Sequence, residues 1–216
     1  GHSWGGMATA FYLSTDNFQD KVKGWINIAG VVDLETQHID VANRLNLFAS
    51  ENIAAGQSVE EWTSIQEDLQ KVDLSILPVH EDDRKIIYAA EKRASELLLK
   101  EQNEEQYREG FFSNTFLGPS ASLTHVSNVL FGFFSLDEEI KKHDLQAQLS
   151  VIKVPSLLIF GKYDLGTSPD VGADFYNEIS STEKELSIYA YSSHEPMLTE
   201  PEKFNSELIN FVELHK

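Results

Sequence analysis

The sequence predicts an α/β protein whose parallel sheet is interrupted by a helical insertion. Short apolar runs at Trp25–Ala29 and Ser156–Phe160 are typical of buried strands, and Leu186–Tyr189 predicts a third. Amphipathic helical segments alternate with these runs, which favours a parallel sheet. Residues 34–148 carry helical periodicity and no alternating strand pattern. We therefore expect a core built from residues 1–33 and 149–216 around a helical cap at residues 34–148.

The composition excludes several classes of function. The chain has 216 residues with 41% hydrophobic and 11% aromatic content, which suits a packed core. Its net charge of −18 argues against nucleic acid and anionic membranes as partners. Solubility is the simpler explanation of this acidity, and a preference for cationic substrates is the alternative. No apolar run reaches the length of a membrane span, and we expect a cytoplasmic protein.

The sequence contains no motif that is typical of a metal site or of cofactor binding. The chain has no Cys, which excludes disulfides, thiol nucleophiles and thiolate metal sites. Its histidines lack the spacing of metal ligands, and no phosphate loop or dinucleotide fingerprint occurs. We therefore expect no metal and no cofactor, and a small molecule or a short peptide as substrate.

Three of the predicted helices show clear hydrophobic periodicity. In the first block, the predicted apolar side of a helix comprises Met7, Ala8, Phe11 and Tyr12. In the cap, Ser58 followed by Glu61 predicts a capping box ahead of a helix with Trp62, Ile65 and Leu69 on one face. A second cap helix begins near Glu81 and has an apolar face that comprises Ile86, Ile87, Ala90, Ala94, Leu97 and Leu98.

The chain begins with the pattern Gly-x-Ser-x-Gly at Gly1-His2-Ser3-Trp4-Gly5. In a strand-to-helix turn, this pattern holds the serine in a strained conformation with its hydroxyl above the sheet. The backbone N–H of the next residue, Trp4, then points toward the oxyanion of a tetrahedral intermediate. Ser3 is therefore the candidate nucleophile. We expect His2 to pack beside it without acting as its base.

A serine nucleophile needs a base, and the base needs a carboxylate that orients it. Asp164 follows the buried strand Ser156–Phe160, and His194 follows the strand Leu186–Tyr189. The carboxyl ends of parallel strands share one edge of the sheet, where sites form. The order Ser, Asp, His along the chain is the order used in one α/β architecture.

These residues resemble the α/β-hydrolase superfamily. "GHSWGGM" is similar to the nucleophile turn of proline iminopeptidase-like hydrolases, and "VPSLLIFGKYD" and "SSHEPMLTEPEKFNSELINFV" resemble the strand before the acid and the histidine loop. The resemblance covers roughly residues 1–33 and 150–216. It implies Ser3 as nucleophile, His194 as general base and then acid, Asp164 as its orienting carboxylate, and Trp4 N–H as one oxyanion donor.

The resemblance also implies that the chain corresponds to the C-terminal portion of the fold. The second oxyanion donor and the first five strands would precede Ser3, so that three strands remain. We expect the outer edge of Trp25–Ala29 to be unpaired, which favours association with a missing N-terminal half or with a second copy. An inactive fragment of an enzyme is one alternative, and a non-catalytic binding module of the same fold is another.

The substrate class stays open between amides and esters. A proline iminopeptidase-like aminopeptidase is the leading subclass, and a carboxylesterase is the alternative. Leu165 follows Asp164 where such iminopeptidases often have an acidic residue. Cap aromatic residues are candidates for lining a substrate pocket, namely Phe111, Phe131 and Phe134. We expect most cap carboxylates to lie on solvated helix faces, namely Glu60, Glu61, Glu67, Asp68, Glu81, Asp82 and Asp83.

Overall fold

The computed structural model describes residues 1–31, 36–101 and 148–216. Its strands β1 (Trp25–Ile28), β2 (Ser156–Gly161) and β3 (Lys184–Tyr189) form a parallel three-stranded sheet in that order. The predicted parallel strands are confirmed, with ends that differ by one or two residues. Strand β1 ends before Ala29 because that residue has φ 47, outside the extended region.

The register of the sheet brings the strand ends to one edge. Trp25 lies opposite Ser156 on β2, and Ser156 lies opposite Lys184 on β3. The loops that follow β2 and β3 therefore start beside each other. We call residues 162–168 the acid loop and residues 190–195 the histidine loop.

The sequence predicted that the outer edge of β1 would be unpaired, but this edge is partly paired. His2 forms a parallel bridge with Ile28, whose N–H donates to Gly1 O at 2.8 Å. Ser3 N–H in turn donates to Ile28 O at 2.8 Å. The residues before Ser3 thus continue the sheet beside β1. Two residues are too few to show strand periodicity in the sequence.

The helices surround the sheet and build the cap. None of those described is long and apolar enough to cross a membrane. Short 3₁₀ turns occur at Phe18–Lys21 and Leu149–Val151. The helices are α1 (Trp4–Ser14), α2 (Gln37–Ala55), α3 (Val59–Leu69), α4 (Glu81–Glu101), α5 (Pro169–Glu178), α6 (Pro196–Thr199) and α7 (Pro201–Leu214).

The cap helices α2, α3 and α4 share one apolar core. Trp62 at its centre is fully buried, and the cluster also includes Leu45, Ile65, Ile87 and Ala90. The predicted capping box at Ser58 does not form, because Ser58 has φ 39 and its side chain makes no cap hydrogen bond. A serine accepts the first helical N–H groups only from an extended backbone.

The buried face of α1 differs from the predicted one. Met7, Ala10 and Leu13 are buried against the sheet, whereas Phe11 and Tyr12 are 39% and 40% exposed. The turn at Ser3 fixes the direction in which α1 leaves the sheet. Residues at spacing i, i+3 and i+6 then face β1, and this rotation is not encoded in the hydrophobic pattern alone.

Candidate functional site

Ser3 lies in a strained turn between the end of the sheet and α1. Its φ of 54 and ψ of −125 form a combination that residues with a Cβ rarely adopt. The turn is closed by hydrogen bonds from Gly5 N to His2 O and from Gly6 N to Ser3 O, both 2.8 Å. A Cβ placed on Gly1 would lie 2.1 Å from Gly5 O, so the turn requires glycine there.

Trp4 begins α1 directly after Ser3. The first N–H groups of a helix have no acceptor within it. Among the described residues, Trp4 N–H makes no backbone hydrogen bond, whereas those of Gly5 and Gly6 are used within the turn. The Trp4 N–H is therefore available to an anion beside Ser3, and the helix dipole favours negative charge at this end.

Asp164 is held in the acid loop by the chain that follows it. The residue is 2% exposed. Its Oδ1 accepts the backbone N–H groups of Gly166 at 3.0 Å and Thr167 at 2.9 Å. Its Oδ2 accepts the Thr167 hydroxyl at 2.6 Å. These donors compensate for the loss of hydration of a buried carboxylate.

His194 is bound to this carboxylate from the neighbouring loop. Its Nδ1 lies 2.7 Å from Asp164 Oδ2. Because a carboxylate accepts hydrogen bonds, this contact assigns the proton to Nδ1 and leaves Nε2 with its lone pair. Backbone contacts join the two loops, as Tyr163 N–H donates to Ser192 O at 3.0 Å.

Opposing effects act on the pKa of His194. Burial lowers it, but the hydrogen bond and charge of Asp164, with the charges of Glu195 and Glu91, outweigh burial and raise the pKa above its usual value. A more basic imidazole accepts a proton more readily from a hydroxyl group. The pair is thus electrostatically suited to general base chemistry.

A cavity of about 390 Å³ joins these groups. Ser3, Asp164 and His194 all line it, together with Glu91 and Ser95 from the cap. Its volume falls within the range of small-molecule sites. Among the described residues, no group of three or more His, Asp or Glu side chains is arranged to hold a metal ion.

The structure brings the three predicted side chains to one cavity, although they are separated by 161 and 30 positions along the chain. Trp4 N–H lies at the same turn. The predicted pocket residues Phe111, Phe131 and Phe134 lie outside the described residues. Leu165 is 3% exposed and belongs to the cap core.

Glu91 on α4 is a site residue that the sequence reasoning missed. Its carboxylate lines the cavity, and no Lys or Arg within the described ranges forms an ion pair with it. Burial raises its pKa, and the charge of Asp164 raises it further against the opposing effect of His194. An available signal was its position on the apolar face of α4, between Ile87 and Leu98, where an acid is unexpected.

His2 contacts His194 through a hydrogen bond as well as through ring packing. Its Nε2 donates to the backbone carbonyl of His194 at 2.9 Å, and the two rings lie 4.9 Å apart. Burial lowers the pKa of His2, and among the smaller effects the nearby His194 lowers it too. His2 therefore links the turn of Ser3 to the histidine loop.

Sequence comparisons find partial relatives among hydrolases. No family model matches the chain. The chain is 29% identical over 80 residues to a probable aminopeptidase, YbaC, of Bacillus subtilis, a match over 37% of this chain and 25% of that protein. It is 37% identical over 70 residues to a pimeloyl-[acyl-carrier protein] methyl ester esterase of Vibrio atlanticus, over 32% of this chain and 26% of the esterase.

Solved structures match over nearly the whole chain. An α/β fold family hydrolase from Bacillus anthracis matches 98% of this chain and 65% of its own, with 21% identity and a TM-score of 0.53. Proline iminopeptidase of Mycobacterium smegmatis matches 100% of this chain and 64% of its own, with 15% identity and a TM-score of 0.57. Because the matches cover 98% and 100% of this chain, they include the parallel sheet and the loops that carry Asp164 and His194. The chain therefore has the α/β-hydrolase fold.

Proposed function

We propose that the protein is a serine hydrolase that acts through an acyl-enzyme. The observation that carries this proposal is the 2.7 Å bond between His194 Nδ1 and Asp164 Oδ2 at a cavity that Ser3 also lines. A buried carboxylate that orients a histidine beside a strained serine is the arrangement that activates a hydroxyl nucleophile. The names of the aminopeptidase and esterase relatives agree with this class.

In this proposal, each group has a defined role. His194 Nε2 takes the proton of Ser3 Oγ as the oxygen attacks the substrate carbonyl, and Asp164 stabilises the imidazolium that forms. Trp4 N–H donates to the negative oxygen of the tetrahedral intermediate. His194 then gives its proton to the leaving group. Water, deprotonated by the same histidine, releases the acyl group from Ser3.

A fluorophosphonate probe tests this proposal without knowledge of the substrate. We expect covalent labelling at Ser3, located by peptide mass spectrometry, because the probe reacts with activated serines. Ser3→Ala should abolish labelling, and His194→Gln should slow it strongly. Ser95, which lines the same cavity, provides the matched control, since Ser95→Ala should leave labelling unchanged. Labelling that persists in Ser3→Ala, or its absence in the wild-type protein, would contradict a catalytic Ser3.

The aminopeptidase subclass is the finer proposal, and Glu91 carries it. This half-buried carboxylate faces the cavity of Ser3 without a cationic partner among the described residues. A charge so placed is costly unless a cation binds beside it. The ammonium group of a substrate with a free N-terminus supplies such a cation.

Blocked and unblocked substrates separate this subclass from an esterase. We expect activity on aminoacyl amides to fall when their N-terminus is acetylated. Glu91→Gln should raise KM for the free amines and should not affect the blocked substrates. Glu96→Gln, on the exposed side of the same helix, is the matched control. Equal turnover of blocked and free substrates would contradict amine recognition.

A carboxylesterase is the second candidate function. It is favoured by the relative with 37% identity over 70 residues, which is an ester hydrolase by name. In this case short acyl esters should be cleaved and Glu91→Gln should have little effect. A binding module would show neither labelling nor turnover. The cytoplasmic location expected from the sequence stays a prediction.

A further inference from the structure

Thr167 contacts both Asp164 and His194, which we call the acid–base pair. Its side chain is buried at the end of the acid loop, one residue before the N-cap of α5, and the residue is 1% exposed. Its hydroxyl donates to Asp164 Oδ2 at 2.6 Å and lies 3.2 Å from His194 Nδ1. With the 2.7 Å bond between His194 and Asp164, these contacts form a closed triangle of three polar groups.

The two oxygens of Asp164 are held in different ways. Backbone N–H groups fix Oδ1, so that any residue at position 167 other than proline retains that support. Oδ2 accepts only side-chain donors among the described residues, namely the Thr167 hydroxyl and His194 Nδ1. Within the described part of the chain, the hydroxyl is therefore the one group besides His194 that binds Asp164 Oδ2.

The hydroxyl also acts on the imidazole itself. A threonine hydroxyl can donate one hydrogen bond, and here it donates that bond to Asp164 Oδ2. The lone pairs of Oγ1 are then available to the Nδ1 proton of His194. The Nδ1–H group thus has two acceptors, which resist rotation of the ring better than one acceptor does.

We propose that Thr167 is a positioning residue of the site, whose hydroxyl fixes Asp164 Oδ2 and the ring of His194 in the orientation that serves Ser3. This inference rests on the proposed serine hydrolase function. The backbone could hold the acid loop with any residue other than proline at position 167, so the hydroxyl contributes what the backbone does not. Serine retains this contribution, whereas valine and alanine lose it.

Loss of the hydroxyl should change the proton affinity of His194 with a defined sign. Besides Thr167, the charged or titratable groups that act on His194 are Asp164, Glu195, Glu91 and His2. The donor on Oδ2 withdraws part of the negative charge that Asp164 presents to the imidazolium. Without this donor, Asp164 stabilises the imidazolium more strongly, and the pKa of His194 rises.

Two readouts on Thr167→Val and Thr167→Ser test the inference. Nuclear magnetic resonance titration of ¹⁵N-labelled histidine gives the midpoint of His194, assigned with His194→Gln. The rate of fluorophosphonate reaction gives the effect at Ser3. For Thr167→Val we expect a midpoint raised by about half a pH unit and, above both midpoints, a rate about tenfold lower. Thr167→Ser should restore both to within about twofold of the wild-type values.

The outcomes separate this inference from the proposed function. A valine variant with the wild-type midpoint and rate, or a serine variant that matches valine, would overturn the role of the hydroxyl. If valine prevents folding, Thr167→Ala against Thr167→Ser makes the same comparison. If Ser3 of the wild-type protein is not labelled, the hydrolase proposal fails. The titration still tests the contact of Thr167 with His194 in that case.

Discussion

One added methyl group at Gly161 should displace the histidine loop. Gly161 ends β2, where the acid loop and the histidine loop pass each other. A Cβ built on it lies 1.9 Å from Ser193 O and 2.6 Å from Ser192 O. These are backbone atoms, which do not turn aside as a flexible side chain does.

The displacement can be estimated from these distances. Since real Cβ atoms essentially never approach within 3.0 Å, 3.0 − 1.9 gives about 1.1 Å of movement at Ser193. His194 is the next residue, and its bond to Asp164 is 2.7 Å long. A shift of about 1 Å in a reacting group reduces rates by about a hundredfold. We therefore expect Gly161→Ala to react with a fluorophosphonate roughly a hundredfold more slowly.

The assay compares reaction rates at a temperature where each variant is folded. Overpacking should also destabilise Gly161→Ala by about 1–3 kcal/mol. Thermal unfolding therefore has to show that the slower rate is not due to unfolding. Gly5→Ala is the matched control, because a Cβ built on Gly5 meets nothing within 4 Å although it is two residues from Ser3. If Gly161→Ala reacts within threefold of the wild-type rate, the close approach of the two loops does not position His194.

Three further changes have defined outcomes. Trp62 is fully buried in the cap core, so Trp62→Ala should lower the free energy of unfolding by about 3–5 kcal/mol in urea denaturation. The pKa of His194 is raised in the folded protein, so its proton stabilises the fold below the ordinary histidine pKa, and this contribution is lost as the pH rises through the folded value. The stability of the wild-type protein relative to His194→Gln should therefore decline as the pH rises in that window, and a difference independent of pH would contradict the assignment. His2→Phe keeps a ring but loses the bond to His194 O, and thermal unfolding should show a loss of about 0.5–1.5 kcal/mol.

The order of elements could be predicted from the sequence because it depends on local patterns. The run Leu157–Phe160 is apolar throughout, as expected for a strand buried on both faces, and the structure buries all of β2. Asp164 could be predicted because it follows this run, and His194 because it follows the shorter strand pattern at Leu186–Tyr189. The parallel topology then brings the strand ends together, which supplies the proximity that sequence spacing does not show.

The missed features depend on contacts between distant segments. Pairing of Gly1 and His2 with β1 joins residues about 26 positions apart, through backbone groups that every residue has. Thr167 is an ordinary residue in its local context, and Glu91, although an acid on an apolar helix face, does not by itself indicate what it lies beside. Only the packing of α4 against the acid loop brings the carboxylate of Glu91 toward the cavity. The side of α1 that is buried likewise follows from the turn at Ser3.

The acid loop contributes residues both to the cap core and to the candidate site. Tyr163 and Leu165 pack in the cap core, with the Tyr163 ring 6.0 Å from that of Phe48, while Asp164 between them binds His194. From α2, Arg44 donates to Lys162 O at 2.7 Å. Because alternate residues of one short loop belong to the cap core and to the acid–base pair, loosening of the cap core should also displace Asp164. Trp62→Ala should therefore slow the reaction of Ser3 even under conditions where the sheet remains folded.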